Sequence, residues 1–363
     1  MSFSLGNNIK MSVRGASHSE AIEVKIEGLP KGEEIDLWQT EVFLKRRQGG
    51  NASYTTARKE ADTPIIESGL EENRLNGEPL CARFLNSNQK SGDYGNLRLV
   101  PRPSHADYVA YKKYHGKLDM AGGGFFSGRM TLPMCFAGSI CKQLLEQRGI
   151  LLSAHILSVG DIKDDAFDST EEYLEEVPCV GLPVLNPKQG DKMVELMESV
   201  SKEGDSVGGC IECKVVGLPA GIGDPIYDSL ESLLSFGLFG IPAIKGIEFG
   251  QGFDVCRAKG SESNDPFIIK DGEVKTLTNN SGGIQGGISN GMPIIFRVAV
   301  KPTPSIYKPQ KSVNLQTMEE TTLQIEGRHD SCIVPRVVPC VEAMCSIVLL
   351  DAIIEAEKTD GIE

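Results

Sequence analysis

The segment Gly15-Ala-Ser-His-Ser-Glu-Ala-Ile-Glu-Val-Lys-Ile-Glu-Gly-Leu-Pro-Lys-Gly32 aligns without gaps with Gly204-Asp-Ser-Val-Gly-Gly-Cys-Ile-Glu-Cys-Lys-Val-Val-Gly-Leu-Pro-Ala-Gly221. Nine of the eighteen aligned positions are identical. Each copy has small residues typical of a turn, then the alternation of a strand with one buried face, then Gly-Leu-Pro. The copies begin 189 residues apart, too far for a solenoid repeat, so the chain is predicted to be a duplicated half-molecule.

Two apolar stripes with helical spacing predict two buried helices. Thr131 is the predicted N-cap of the first helix, with Pro133 in its first turn. The stripes consist of Ala137, Ile140, Cys141 and Leu144 in the first helix and Val337, Val341, Met344, Cys345 and Val348 in the second. Buried helices covered by half-buried strands predict an α/β (α+β) fold, an internally duplicated sheet–helix–sheet sandwich.

No Pro/Ser-rich linker separates the two copies. We therefore expect a single domain over residues 1–363, with two pseudo-repeat halves at about 1–188 and 189–363. The stretch Thr278–Gly291 contains Asn279, Asn280 and five glycines, and it is predicted to be a long loop close to a ligand.

The composition limits the partners of this chain. Its 37 Lys and Arg residues against 50 Asp and Glu residues give a formal net charge of −13. This balance argues against nucleic acid and anionic membranes, because phosphate backbones recruit cationic surfaces. A small anionic substrate is compatible with it, since a local arginine cluster can focus positive potential. Without a signal peptide or a run of 18 apolar residues, we expect a soluble cytoplasmic protein that does not span a membrane.

The ten cysteines are scattered, and Cys210 with Cys213 forms the one C-x-x-C. No second pair lies at zinc spacing, and no histidine pair has metal-ligand spacing, so we expect no metal site. The cysteines are interpreted as buried thiols in a reducing cytosol, with Cys213 on the apolar side of its strand.

Two histidines are candidates for chemistry. His18 follows Ser17 in a turn of small residues, where an imidazole can reach a ligand, although a structural role is about equally plausible from the residues alone. The second copy of the repeat has Val207 in place of His18, which predicts one active centre per chain. His105 lies three residues after Arg102 in a proline-stiffened segment, which favours anion handling over capping by Ser104.

Four further segments have features of anion sites. Gly122–Arg129 leads into the first buried helix and is neither a Walker A loop nor a dinucleotide fingerprint. The paired arginines at 46 and 47, in a glycine-bearing loop, could capture phosphate or carboxylate or be a solvated face. Lys301–Ser305 combines a cation, two hydroxyls and rigid backbone. Asp330, just before the second buried helix, is a helix cap, a partner of Arg328 or a base, and spacing alone favours the cap.

Together these segments resemble the chorismate synthase family over nearly the whole chain. The resemblance rests on six motifs in order, namely Gly15–His18, Arg102–Tyr108, Gly122–Arg129, Gly204–Gly209, Lys301–Ser305 and Gly327–Asp330. It implies helices sandwiched between sheets, a homotetramer and a requirement for reduced FMN. It also implies conversion of 5-enolpyruvylshikimate 3-phosphate to chorismate by 1,4-elimination of phosphate, in the shikimate pathway. It leaves open whether the protein reduces its own flavin, with NADPH as the source of electrons.

The resemblance also assigns roles to residues. It implies that His18 protonates the departing phosphate, that His105 protonates the reduced flavin near N1, and that Asp330, relayed through Ser17, takes the proton from flavin N5. The implied substrate-binding residues are Arg47, Arg102, Arg129 and Arg328. The implied flavin contacts are Phe125, Phe126, Ser127, Ala243, Gly286, Lys301, Pro302, Thr303, Pro304, Ser305 and Arg328.

This chain departs from the family pattern beside the expected flavin. Phe125 and Phe126 replace a common Arg-Ser, Ser53 replaces a frequent arginine, and Pro242-Ala243 replaces a usual Asn-Ala. The alternatives are a paralogue that eliminates phosphate from a related cyclohexene and a catalytically silent flavin- or metabolite-binding homologue. Retention of His18, His105 and Asp330 together argues against the silent alternative.

Overall fold

The computed structural model describes residues 2–50, 55, 61–86, 99–118, 120–325 and 329–360. The α-helices are α1 Leu37–Arg47, α2 Asp107–Lys113, α3 Thr131–Glu146, α4 Pro187–Lys202, α5 Leu230–Leu238, α6 Gly260–Ser263 and α7 Val334–Asp360. Short 3₁₀ segments are Ala121–Phe126, Gly128–Met130, Ile226–Asp228 and Gly252–Arg257.

Two five-stranded antiparallel sheets contain most of the strands. The first has the order β1-β2-β3-β7-β4, with β1 Ser2–Leu5, β2 Lys10–Gly15, β3 Ala21–Glu27, β4 Ile65–Ser68 and β7 Leu80–Leu85. The second has the order β11-β16-β10-β8-β9, with β8 Leu151–Val159, β9 Ile162–Lys163, β10 Gly209–Val216, β11 Ile244–Phe249 and β16 Ile294–Val300. Small hairpins are formed by β5 Leu70–Glu71 with β6 Arg74–Leu75, β12 Phe267–Lys270 with β13 Glu273–Thr276, β14 Ile284–Gln285 with β15 Ile288–Ser289, and β17 Gln310–Asn314 with β18 Glu319–Leu323.

The repeated sequence segment forms the middle strand of each sheet. β3 is third of five in the first sheet, and β10 is third of five in the second. β3 shows the predicted alternation, with Ile22, Val24 and Ile26 buried. The sequence thus identified two equivalent strands from a pattern of eighteen residues.

The prediction of one buried face is wrong for β10, because both of its faces are covered. Glu212 and Lys214 are fully buried. Glu212 accepts hydrogen bonds from the backbone of Phe167 at 2.7 Å and from Arg297 at 2.8 Å, and it lies 3.2 Å from His155. Burial opposes a charge on His155, but its contacts with Asp164 and Glu212 together raise its pKa. The segment after β9 therefore covers the polar face of β10 and satisfies its charges.

The two sheets do not divide at the predicted boundary between the halves. β8 and β9 lie before residue 188 in the sequence, yet they pair within the second sheet, where β8 is bonded to β10. The first half of the chain therefore contributes two strands to the second sheet, so the halves interlock. This is compatible with one domain, as is the continuous core that joins residues from both halves.

The helices lie between the sheets, as the sequence predicted. α3 packs on β2 and β3 of the first sheet, whereas α7 packs on β8 and β10 of the second, and α1 contacts both helices. Thr131 is the first residue of α3 rather than its N-cap, and its hydroxyl donates to the carbonyl oxygen of Gly128 at 2.7 Å. Arg46 and Arg47 end α1 instead of lying in a loop. Arg46 forms a two-pronged ion pair with the buried Glu342 of α7, which excludes it as a free anion-binding group.

Helix α7 is long and apolar enough to cross a membrane by length and composition, although it contains no unbroken run of 18 apolar residues. Within the 25-residue stretch Val334–Lys358, an 18-residue window has a mean hydropathy of 2.2, but 89% of that window is buried inside the protein. Core packing against α3, α5 and the second sheet accounts for its apolar composition.

All ten cysteines are free thiols, and six of them are buried as expected. Cys179 and Cys256 are exposed, so the interpretation as buried thiols is wrong for these two. Cys213 is fully buried, in agreement with its predicted position on the strand.

Helices α3 and α7 approach each other closely where Gly138 faces Ala343. A Cβ atom built on Gly138 would overlap the Cα and Cβ of Ala343 and lie 2.6 Å from its carbonyl oxygen. These are backbone or backbone-proximal atoms, so no side chain can rotate to relieve the overlap. Only glycine permits this crossing.

Gly138→Ala is therefore expected to lower the free energy of unfolding by about 1–3 kcal/mol, the usual cost of overpacking a core. Alanine's intrinsic helical advantage of about 1 kcal/mol acts in the opposite direction and does not offset the overlap. Urea denaturation measures the difference. Gly260→Ala is the control, since no atom lies within 4 Å of a Cβ built there. Equal unfolding curves for the two variants would refute the close-crossing account.

Candidate active site

A cavity of about 660 Å³ lies where the start of α3, the start of α7 and the end of α1 converge. This size falls within the range of roughly 300–1,000 Å³ typical of small-molecule sites. The cationic side chains in its described wall are Arg47, Arg102, Arg129, Lys245, Lys301 and Arg336. The carboxylates in the same described wall are Asp62 and Asp330. A strongly acidic protein thus has a cationic cavity, as the sequence suggested.

Arg47 and Arg129 share one carboxylate. Asp62 accepts a hydrogen bond from Arg47 Nη2 at 2.6 Å through one oxygen and pairs with Arg129 Nη1 through the other. Arg47 Nη1 also lies 3.4 Å from the hydroxyl of Thr131, and Arg129 Nε donates to Asn86 at 3.1 Å. All three charged side chains are almost completely buried. Asp62 therefore holds two guanidinium groups side by side while neutralising only one of their charges.

Arg102, His105 and Asp107 form a second cluster. Arg102 donates to both carboxylate oxygens of Asp107, from Nε at 2.7 Å and from Nη2 at 2.8 Å. His105 Nδ1 lies 2.7 Å from Asp107 Oδ1. Burial opposes the negative charge of Asp107, but the hydrogen bonds from Arg102 and His105 outweigh it and hold the pKa of this carboxyl far below its usual range.

This geometry fixes the tautomer of His105. An ionised carboxylate only accepts hydrogen bonds, so Nδ1 must carry the hydrogen that is donated to Asp107. Arg102 Nη2 also lies 3.0 Å from Nδ1, but this contact follows from both groups converging on Asp107. Nε2 is consequently the nitrogen through which His105 can exchange a proton with a ligand.

A glycine turn separates the two candidate histidines. Gly122, Gly123 and Gly124 all have positive φ, at 60°, 88° and 56°. The His18 ring packs so closely on Gly122 that any side chain there would overlap it. A Cβ on Gly123 would lie 3.8 Å from His105 Nε2. The turn is tied to the N-terminal repeat by a 3.1 Å hydrogen bond from the Ser17 amide to the Gly124 carbonyl.

Asp330 is not the N-cap of α7. The helix begins at Val334, and the carbonyl of Ile333 accepts its first hydrogen bonds. Asp330 Oδ2 instead accepts a 2.6 Å hydrogen bond from Arg336 Nη1, and Arg336 Nε donates to the carbonyl of Arg47 at 3.0 Å. The capping interpretation that spacing favoured is therefore wrong, and Asp330 faces the cavity beside a cation.

The opposite wall comes from the loop after β16. Thr303 Oγ1 donates to the carbonyl of Asp330 at 2.9 Å, and Ser305 Oγ accepts from Arg102 Nη1 at 3.2 Å. Lys301 Nζ donates to the carbonyl of Ser104 at 2.8 Å. Burial and the neighbouring Lys245 lower the pKa of Lys301. These contacts join the motif Lys301–Ser305 to the histidine and aspartate segments.

Phe125 and Phe126 form an apolar part of the wall. Their ring centroids lie 4.8 Å apart, and Phe125 also contacts Phe3 at 5.4 Å and Tyr114 at 5.6 Å. These distances are typical of attractive aromatic pairs. The replacement of the common Arg-Ser therefore creates an aromatic cluster that includes β1.

Most of the predicted site residues share this cavity. Those in its wall are Arg47, Arg102, His105, Phe125, Phe126, Ser127, Arg129, Ala243, Lys301, Thr303, Pro304, Ser305 and Asp330. Ser17, His18 and Pro302 lie beside wall residues without being part of the wall. Gly286 lies apart from it, in the turn between β14 and β15, and the loop Thr278–Gly291 contributes nothing to the wall. Arg328 lies outside the described residues.

Four charged or nucleophilic wall residues were missed as candidates from the sequence, namely Asp62, Lys245, Arg336 and Cys340. Arg336 gave a signal, because it is a lone cation in the first turn of an apolar helix. His329, in the motif Gly327–Asp330, was a weaker candidate than His18 and His105, and it also lies in the wall. Asp62 gave no signal in the sequence. It follows a mixed run of charges, and its partners Arg47 and Arg129 are distant in sequence. In the part of the chain that the structure describes, no cluster of three or more potential metal ligands occurs.

Asp62→Asn is expected to lower the free energy of unfolding by about 3–5 kcal/mol, because it leaves buried guanidinium charge uncompensated. Asparagine tolerates the positive φ of 53° at this position. Added inorganic phosphate should raise the melting temperature of the variant more than that of the parent, since an anion can replace the carboxylate.

The matched control for this change is Asp271→Asn, which has the same φ of 53° but is exposed. Its free energy of unfolding should stay within about 0.5 kcal/mol of the parent. Parent-like stability of Asp62→Asn would show that Asp62 does not hold the arginine pair.

Comparisons with known proteins agree with the motifs. The sequence model of the family described as chorismate synthase matches residues 9–354. The chain is 42% identical to chorismate synthase of Thermococcus gammatolerans over 357 residues, covering 98% of this chain and 99% of that protein. It is also 42% identical to chorismate synthase of Lancefieldella parvula, covering 97% and 96%.

A solved structure gives the same answer for the fold. The structure described as a crystal structure of chorismate synthase superposes with a TM-score of 0.74 at 26% sequence identity, covering 97% of this chain and 93% of that one. The predicted fold is thereby confirmed, and this chain belongs to the chorismate synthase family.

Proposed function

We propose that this chain is an FMN-dependent phosphate lyase that converts 5-enolpyruvylshikimate 3-phosphate to chorismate by 1,4-elimination, in the shikimate pathway of aromatic amino acid biosynthesis. The observation that carries the proposal is the cavity itself. It places a carboxylate-bridged arginine pair, an oriented histidine and a paired aspartate around one space in a member of this family.

The charges of the cavity suit a multiply anionic substrate. Six cations line the described wall against two carboxylates, although the whole chain carries −13. Asp62 already aligns Arg47 and Arg129, so their guanidinium groups need little rearrangement to bind a phosphate or carboxylate. Prior alignment lowers the entropic cost of binding. We infer that this pair and Arg102 bind the substrate's anionic groups, and Arg328 remains part of the proposal.

The residues present also fit a flavin. The aromatic wall of Phe125 and Phe126 suits a flat ring, and the hydroxyls and cation of Lys301–Ser305 suit polar groups of the cofactor. Among the described residues, the buried Ser17 Oγ and Arg47 Nε have no hydrogen-bond partner within the chain, as expected for groups that meet a ligand. Reduced FMN, when bound, supplies electron density to the substrate without net oxidation.

The chain's own residues provide the proton traffic. Asp107 holds His105 so that Nε2 faces the ligand, and this nitrogen can donate or accept a proton. His18, fixed against the glycine turn, would donate a proton to the departing phosphate. Arg336 orients the Asp330 carboxylate, which would accept a proton with Ser17 as relay. Two histidines and one carboxylate thus divide the acid and base roles.

The assembly and location are part of the same proposal. We infer a cytoplasmic homotetramer. Exposed apolar side chains support an interface. Those on α5, a 3₁₀ segment and the hairpin β12–β13 include Phe236, Phe253, Phe267, Ile269 and Val274. Exposed apolar clusters commonly mark contacts between proteins.

The sequence repeat provides a matched pair of variants for testing turnover. His18→Ala should slow chorismate formation by roughly 10²–10⁴-fold, the usual effect of removing a positioned acid. Val207→Ala, at the equivalent position of the second copy, should mainly reduce stability, because Val207 packs near Gly160 and on the core. The measurement is an anaerobic assay with prereduced FMN and the expected substrate.

Absence of chorismate with the parent protein, together with absence of flavin binding by fluorescence titration, would refute the proposed reaction. Equal losses of turnover in His18→Ala and Val207→Ala, with both folded, would instead refute the assignment of one active centre.

Asp330→Asn tests the proposed base. Asparagine can still accept a hydrogen bond from Arg336 but is a very poor base, so we expect a folded, flavin-binding protein whose turnover falls by roughly 10²–10⁴-fold. Single-turnover kinetics with prereduced FMN isolate the elimination from flavin reduction. Asp205→Asn is the control. Asp205 Oδ2 lies 2.7 Å from Lys308 Nζ, and neither residue is part of the cavity wall. Normal turnover in Asp330→Asn would leave Asp330 a structural partner of Arg336.

A further inference from the structure

Two cysteines from different helices meet beneath the cavity. The Sγ atoms of Cys135 in α3 and Cys340 in α7 lie 3.7 Å apart. Forming a disulfide bond of about 2.05 Å would require the two sulfur atoms to approach by about 1.7 Å. One helical turn further along each helix, Gly138 and Ala343 are in backbone contact. The two helices therefore lie too close for any side chain at position 138 beside this thiol pair.

Both cysteines are buried, but they differ in whether they line the cavity. Cys340 is part of the cavity wall, and its Sγ lies 3.4 Å from the carbonyl of Arg336. Cys135 is fully buried and is not part of the wall. A small molecule that enters the cavity can therefore reach Cys340 first, with Cys135 directly behind it.

The two thiols also differ in acidity. The hydrogen bond from Cys135 is the main cause of the lowered pKa of Cys340, and Arg47 and Arg336 contribute although burial opposes them. Burial raises the pKa of Cys135. Thiolates are the nucleophilic form of cysteine, so Cys340 is the attacking thiol and Cys135 the resolving one.

We propose that Cys340 and Cys135 form an oxidisable thiol pair that hydroperoxides convert to a disulfide in the wall of the active-site cavity. The Cys340 thiolate attacks one peroxide oxygen, the O–O bond breaks, and the released hydroxide takes up a proton to form water. Cys340 is then a sulfenic acid. The sulfur of Cys135 attacks it, the S–O bond breaks, and the hydroxyl leaves with the Cys135 proton as a second water.

The balance of this reaction is complete. Two thiols lose two protons and two electrons in total, and one hydrogen peroxide takes up both to become two waters. The reaction uses neither flavin nor substrate, so it can succeed or fail independently of the proposed lyase activity. Added dithiol reductant reverses it by thiol–disulfide exchange.

The chain contains its own control pair. Burial, followed by a hydrogen bond with Cys345, raises the pKa of Cys213. Both Cys213 and Cys345 are fully buried, and neither is part of the cavity wall. The two cysteines of this pair are close together and buried, like those of the proposed site. They do not line the cavity, however, and no arginine in the described part of the chain affects the pKa of Cys213.

The experiment uses the full chain with the exposed Cys179 and Cys256 changed to serine to suppress links between molecules. The reduced protein is treated with hydrogen peroxide at neutral pH, and remaining thiols are alkylated in denaturant. A non-reducing digest is then analysed by mass spectrometry. We expect a Cys135–Cys340 link that is lighter by two hydrogens and is lost on reduction, formed before any Cys213–Cys345 link.

Single variants separate the two roles. Cys135→Ala should stop the reaction at a sulfenic acid on Cys340, which dimedone traps, whereas Cys340→Ala should leave Cys135 reduced. The measurement on the parental pair needs neither variant, so loss of folding in one of them does not prevent the test. The proposal is overturned if no Cys135–Cys340 link forms, or if Cys213 and Cys345 become linked equally fast.

Discussion

The close crossing of α3 and α7 at Gly138 and Ala343 is the constraint on which the site depends. Cys135 and Cys340, three residues earlier on each helix, are also in contact, so the helices run in the same direction and both begin at the same end of the molecule. Arg129 lies two residues before the first residue of α3, and Arg336 lies in the first turn of α7. α1 packs against both helices, and its last residue, Arg47, reaches the same point. The close packing of α3 on α7, which glycine at position 138 allows, thus brings together three arginines that are far apart in sequence.

Counter-charges decide what those arginines can do. Each of the buried or half-buried guanidinium groups at 47, 102, 129 and 336 has a carboxylate partner among Asp62, Asp107 and Asp330. A buried cation without a partner would be strongly destabilising, whereas a paired cation can remain in a folded protein. The cavity retains positive charge because Asp62 serves two arginines. The same residues therefore allow the protein to fold and give the cavity its attraction for anions.

The two copies of the repeat differ in how their strands are covered. β3 keeps the alternation of a strand with one polar face, whereas the equivalent β10 has both faces buried. The segment after β9 covers the polar face of the second sheet and supplies partners for its charged side chains, including Asp164 for His155 and Glu175 for Lys214. The first copy retains the turn with Ser17 and His18 beside the glycines, and the second has Val207 against the core. Both turns lie beside the cavity wall, the second through a 2.7 Å hydrogen bond from Ser206 Oγ to the Thr303 carbonyl, but the histidine is present in the first turn alone.

The sequence by itself determined the features that depend on local periodicity and on residue type. It identified the equivalent strands β3 and β10, the two core helices, and the motifs around His105, Arg129 and Lys301. Each of these can be recognised from the spacing of residues along the chain. Tertiary structure alone decided which charges meet. Asp62 pairs with Arg129 across 67 residues, and Arg46 pairs with Glu342 across 296. Asp330 has the spacing of a helix cap, yet it pairs with Arg336 because α7 begins only at Val334. Contacts between distant residues depend on how the helices pack, and no local pattern in the sequence records that packing.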